Sequence, residues 1–137
     1  MVTVEDLEAA QKAQGVEIRR GDVVIVHTGW LSMLEEDPQA FIRQEPGIGV
    51  AAARYLVEKG VVAIGADNWG VEAVPHEDPA TFFPAHVETL ARAGVYLLEN
   101  IDTRGLIADG VHEFLFVLGH ARVKGAVQMI INPVAIR

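Results

Sequence analysis

At 137 residues the chain has room for one domain with a proper core and not for two of ordinary size, so a single domain over residues 1–137 is expected. Eleven Lys and Arg stand against 19 Asp and Glu, a net charge of −8, which argues against a phosphate-binding surface and so against nucleic acid as a partner. Cysteine is absent, which excludes a disulfide framework, a thiolate nucleophile and a zinc ribbon; with no signal segment and no apolar run of membrane-spanning length, a cytoplasmic chain with no membrane partner is expected.

In chain order, Thr3 is an N-cap candidate for a helix over Val4–Gln14, with Leu7, Ala10 and Gln14 on one side. Val23–Val26 is a continuous β-branched run that reads as a buried strand ending near His27 and Thr28, closed by Gly29-Trp30. Glu35–Glu45 is polar, carries Pro38, and reads as a loop with a short helix at most. Pro46-Gly47 opens a second helix, Ile48 to Lys59, with Ile48, Ala52, Tyr55 and Leu56 as its apolar stripe and Gly60 as its stop. Val61–Asp67 is a second buried strand, and Asn68–Phe83 a loop. Pro84 starts a third helix, Gly94 ends it, and Val95–Glu99 is a third buried strand. After a loop around Arg104–Gly110, Glu113–Leu118 and Ala126–Ile131 are two further strands, and Asn132-Pro133 interrupts the last. This order predicts an α/β fold with a mixed, partly parallel sheet. Strands apolar on both faces need cover on both, and three helices leave part of the sheet to another strand layer or another subunit.

The segment PAHVETLARAGVYLLEN carries the chemistry. At about 100° per residue, His86, Val87, Leu90, Ala91 and Ala93 fall on one broad side of the third helix, while Glu88 and Arg92 form an i,i+4 pair opposite. The chain reverses at Gly94. The helix climbs about 10 Å from His86 to Ala93 and the strand returns about 13 Å from Val95 to Glu99, which levels the two side chains at one sheet edge. Ligands of open α/β sheets bind at the carboxyl ends of the strands, where Asp67 also ends its strand. An imidazole at a helix N-terminus favours its neutral, metal-binding form, and a buried carboxylate needs a cation or hydrogen bonds. One divalent metal would satisfy both. The alternative is that His86 bonds a backbone carbonyl while Glu99 caps a turn or pairs with Arg104. Two ligands do not complete a metal site.

His27 could line the same edge, or serve only in packing and hydrogen bonding. Trp30 and Trp69 follow strand ends, where they either wall a pocket or fill the core. His76-Glu77-Asp78 reads as a solvated loop, since adjacent side chains rarely converge on one ion. No dinucleotide fingerprint, P-loop or nucleophile elbow is present, and no catalytic residue is assigned.

GDVVIVHTGW, EPGIGVAAARYLVEKGVVAIGADNWGVE, PAHVETLARAGVYLLEN and GAVQMIINPVAI together resemble the cyclase family of metal-dependent hydrolases, which includes bacterial kynurenine formamidase and isatin hydrolase. The resemblance runs along nearly the whole chain but corresponds to the C-terminal part of the family's usual length. It implies a swivelling β/β/α domain in homo-oligomers and hydrolysis of an amide-like C–N bond, other than a peptide bond, of a small-molecule substrate at zinc or manganese. It also implies that His86 and Glu99 complete a metal position. The family's His-x-x-x-His-x-Asp motif is absent from this chain, and Gln128-Met129-Ile130 replaces its Gly-Ser-Pro turn. Two functional expectations therefore stand side by side. One is an arylformamidase-type hydrolase whose remaining metal ligands come from elsewhere. The other is a non-catalytic, truncated cyclase-like scaffold or small-molecule binding module that oligomerises.

Overall fold

A computed structural model describes residues 1–137. Thr3 and Asp6 close a reciprocal capping box at the start of α1 (Val4–Gln14), and Gly15, in the left-handed conformation, ends it. β1 (Val23–Val26) follows as expected. The polar stretch after it holds a 3₁₀ turn (Trp30–Ser32) and two short helices, α2 (Met33–Glu36) and α3 (Pro38–Arg43). Asp37 separates the two helices and caps α3 through the N–H groups of Gln39 and Ala40, so Pro38 starts the short helix that the sequence allowed in this loop. α4 (Val50–Lys59) and β2 (Ala63–Ala66) sit inside their predicted ranges.

The third helix departs from expectation. It begins as one α turn, α5 (Pro84–His86), and then widens into a π segment, Val87–Ala93. Thr89 Oγ1 bonds back to the carbonyl of Ala85 at 2.8 Å, and Gly94 N–H reaches the carbonyls of both Leu90 and Thr89. The added residue per turn changes the face. Ala85 and Thr89 are buried, while Val87 and Leu90, expected on the inner side, are exposed. The Glu88–Arg92 pair does form, at 2.7 Å, and Arg54 of α4 joins it.

β3 (Tyr96–Leu98) closes a parallel sheet of order β1-β2-β3. Ile25 pairs with Gly65 and Gly65 with Leu98, so β1 and β2 end level at Val26 and Ala66 while β3 ends one residue earlier; His27 and Asp67 follow side by side, with Glu99 one position behind them on the same edge. α1, α4 and the α5–π helix contribute to one core with the strands, centred on Leu7, Ile48, Ala52, Ala53, Leu56, Ile64, Val71, Ala85 and Val95. Burial of this apolar surface is the main drive to fold.

Beyond the sheet, α6 (Arg104–Ala108) occupies what was expected to be loop. β4 (Leu115–Val117) pairs antiparallel with β5 (Val134–Ile136), Phe116 opposite Ala135. The last strand therefore lies after Asn132-Pro133 rather than before it. Ala126–Ile131 has no strand to pair with, and Val127 and Ile130 are almost wholly exposed. Proline is tolerated just ahead of a strand, where no ladder donor is lost. No helix is long and apolar enough to cross a membrane.

A backbone crossing fixes the floor of the site. Glu45 and Val74 exchange N–H···O bonds at 3.0 Å each, Ile48 N–H bonds the carbonyl of Val71, and Ala73 N–H bonds that of Ile48. Gly47 lies against the backbone of Val71 and Glu72 with no room for a Cβ. Glu72 is thereby pinned beneath the start of α5.

Candidate metal centre

His86 Nε2 lies 3.7 Å from Glu99 Oε1, so the structure brings together the two side chains that helix reversal places level. Both are partly open to solvent, about a quarter exposed each. Behind His86 lies Glu72, which the sequence reading passed over. Its carboxylate is buried. Glu72 Oε2 accepts the backbone N–H groups of Ala85 at 2.5 Å and His86 at 3.2 Å, and lies 3.6 Å from His86 Nδ1. Glu72 Oε1 faces His76 Nδ1 at 3.4 Å. His76, expected in a solvated loop, is mostly buried: its Nδ1 also meets the Ala73 carbonyl and its Nε2 takes the Phe83 N–H. Phe83 stands between the two imidazoles, its centroid 4.8 Å from each. Glu77, of the same stretch, accepts the Val50 N–H at the start of α4.

Burial disfavours the charged form of His86, but the carboxylates of Glu72 and Glu99 outweigh it and carry the pKa up to about 9. Glu45 adds a third acid. Its Oε2 accepts Trp69 N–H at 2.8 Å, while its Oε1 is buried against Gly70 with no hydrogen-bond partner. Burial pushes this carboxyl up to about 7, against the backbone N–H groups of Trp69 and Gly70 and with help from the charges of Glu99 and Glu72. The folded state thus holds a proton that the unfolded state releases near 4.5. Stability from this group falls as pH rises from 4.5 and levels off above 7. Glu45→Gln is expected to remove that loss. It should gain on the wild type between pH 5 and pH 8, on the order of 1–2 kcal/mol once solvent screening is allowed for, read from urea midpoints at both pH values.

Backbone strain marks the same place. Val71 (φ 63°), Phe83 (φ 48°) and Asn100 (φ 56°) are the non-glycine residues in the left-handed region. They abut Glu72, the start of α5 and Glu99 in turn. Such conformations cost on the order of 1–3 kcal/mol each and persist where surrounding contacts over-determine them.

The other predicted residues serve the neighbouring edge. Asp67 is buried and its oxygens are taken: Oδ1 by the N–H and hydroxyl of Thr28 (2.7 and 2.6 Å), Oδ2 by Gly29 N–H (2.7 Å). His27 Nδ1 sits 2.7 Å from Thr103 Oγ1 and 3.2 Å from Asp67 Oδ2. The indoles of Trp30 and Trp69 converge on one acceptor, the Phe41 carbonyl, at 3.4 and 2.8 Å. None of these lines the cavity of about 400 Å³ beside Glu99, whose walls include Ile25, Leu106, Phe114, Phe116 and Asn132. Gln128, from the segment between β4 and β5, reaches Glu99 Oε2 at 3.4 Å.

Residues 1–73, just over half of the chain, match the Cyclase family model, described as "Putative cyclase". The chain belongs to the Cyclase family. The whole of this Cyclase-family chain also superposes on a crystal structure described as that of a novel cyclase, with a TM-score of 0.81 and 27% identity. It covers 47% of that chain, so it spans about half the length of the structure it matches. No curated protein matches it.

A separation of 3.7 Å suits two donors that each stand about 2 Å from one ion, and imidazole with carboxylate is a donor pair for zinc or manganese. The pair is not extended into a full set. No group of three or more His, Cys, Asp or Glu side chains in the chain is arranged to hold a metal ion.

Proposed function

We propose that the chain is part of a metal-dependent hydrolase of amide-like C–N bonds, of arylformamidase type. His86 and Glu99 would supply two donors to a zinc or manganese ion, and the remaining donors would come from outside this chain. The observation that carries the reading is the convergence of His86 Nε2 and Glu99 Oε1 at 3.7 Å on the strand-end edge of the sheet. When bound, a divalent ion there would polarise a carbonyl and lower the pKa of water. The chain's own residues orient and enclose. Glu72 and Phe83 hold the His86 ring in place. The aromatic wall of Phe114 and Phe116 gives the cavity beside Glu99 an apolar side for a small substrate, and Asn132 gives it a polar one. Homo-oligomers are part of the reading: Leu115, Val117, Val134 and Ile136 of the β4–β5 ribbon leave apolar surface exposed.

The test is the metal content of the purified protein together with hydrolysis of an N-formylated aromatic amine in added zinc or manganese. Metal uptake that depends on His86 and Glu99 is expected. A chain that takes up neither metal sinks the reading. The donor count favours a second reading, a non-catalytic binding module built around the same cavity. Binding of a small aromatic amide without turnover, in protein free of metal, would favour it.

A further inference from the structure

We propose that Glu72 is a positioning residue for the metal centre: its buried carboxylate holds the His86 ring by the Nδ1 edge, so that Nε2 turns its lone pair toward Glu99. The inference rests on the reading of His86 and Glu99 as metal donors.

Glu72 has no freedom of its own. The crossing of Glu45–Ile48 with Val71–Val74 fixes its backbone, and Gly47 lets the two strands of that crossing touch. Through Oε2 it also fixes the backbone N–H groups of Ala85 and His86. Carboxylate and imidazole therefore stand in a set relation from which the ring departs only by turning about its own side-chain bonds. Phe83 blocks that turn from one side.

Nδ1 of His86 is buried without a hydrogen-bond partner, and Glu72 is the carboxylate beside it, at 3.6 Å. That gap is too long for a hydrogen bond in the present geometry. A shift of well under 1 Å closes it, and catalytic hydrogen bonds often tighten only once the site is loaded. Oε1 of Glu72 is likewise buried and unpaired, beside His76 Nδ1. His76 Nε2 accepts the Phe83 N–H, so the His76 proton sits on Nδ1, where the Ala73 carbonyl accepts it at 3.2 Å and Glu72 Oε1 stands 3.4 Å away. Two imidazoles thus present their Nδ1 edges to one carboxylate. An N–H donated to a carboxylate on the far side of a ligating histidine fixes the tautomer and raises the basicity of the ligating nitrogen.

Glu72→Gln keeps an oxygen for the two backbone N–H groups and removes the charge. A merely structural cap would therefore leave metal binding untouched. Zinc alone, in competition with a chromophoric chelator and with each affinity referred to the neutral His86 ring through that protein's own pH profile, is expected to bind the variant roughly 10- to 100-fold more weakly than wild type. In ¹H–¹⁵N spectra of the wild-type imidazoles, neutral His86 is expected to carry its proton on Nδ1, shielded from exchange, and in Glu72→Gln to lose that preference. Zinc affinity in the variant within twofold of wild type, or a wild-type His86 with its proton on Nε2, overturns the proposal. The second measurement needs no variant, so a Glu72→Gln protein that does not fold leaves it decisive. A wild type that binds no zinc defeats the proposed function, and the tautomer alone then decides the role of Glu72.

Discussion

His86→Ala is expected to weaken zinc binding about 100-fold or more, with Glu99→Ala doing the same and Glu88→Ala, two residues on and turned toward Arg54, leaving it unchanged. The expectation follows from geometry: His86 and Glu99 are the convergent pair, while Glu88 is occupied by Arg54 and Arg92. It also has a pH signature. In the metal-free protein the His86 pKa is raised from 6.5 to about 9. A raised folded-state value means that the stability contributed by this group is fully present below 6.5 and is lost as pH climbs through 9. Metal competes with that proton. Apparent zinc affinity should therefore rise about tenfold per pH unit from pH 7 to pH 8, with about one proton released per ion bound. Chelator competition at the two pH values measures the slope. A pH-independent affinity, or a His86→Ala protein that binds as tightly as wild type, would rule out His86 as a donor.

Gly47→Ala is expected to be the most damaging single methyl group in the chain, destabilising by about 3 kcal/mol or more in urea titration. The added carbon would overlap the backbone of Val71 and Glu72. A flexible side chain could swing aside; a paired backbone held by hydrogen bonds at Ile48 and Ala73 cannot. Because that backbone carries Glu72, the same substitution should also loosen the start of α5. Gly105→Ala is the control. It lies within α6 with nothing near its Cβ position, and it should be neutral or gain about 0.5–1 kcal/mol from helix propensity. Equal losses in the two variants would contradict this account.

The parts of the fold that could be read in the sequence are those with local signals. Thr3 and Gly15 bracket α1 residue for residue, and the apolar runs that become β1, β2 and β3 needed no tertiary information. α6 escaped because it is short, contains Gly105 and has no buried residue. The Ala126–Ile131 run has strand propensity, but pairing decides a strand, and β4 finds its partner at Val134–Ile136. The face of the third helix was misread because 100° per residue does not describe a π segment. Of the site, His86 and Glu99 were legible because reversal at Gly94 is a matter of arithmetic. Glu72 was not, although it offers the same clue as Glu99: an acid set among apolar neighbours, Val71, Ala73 and Val74. Its meaning lies in contacts thirteen and fourteen residues away, to Ala85 and His86, which no periodicity reveals.

The change of winding within the third helix divides its tolerance to change. His86 closes the α turn that Glu72 clamps, and the wider turns begin only at Val87. A π segment is an α-helix that has absorbed an extra residue. Downstream of His86 the helix is thus already out of step with its own first turn, held instead by Thr89 and the Gly94 cap. Length changes or drift between Val87 and Ala93 would be taken up by the outer turns without rotating the imidazole. The first turn and its carboxylate have no such slack, so the histidine is anchored from below by the loop rather than from behind by the helix that carries it.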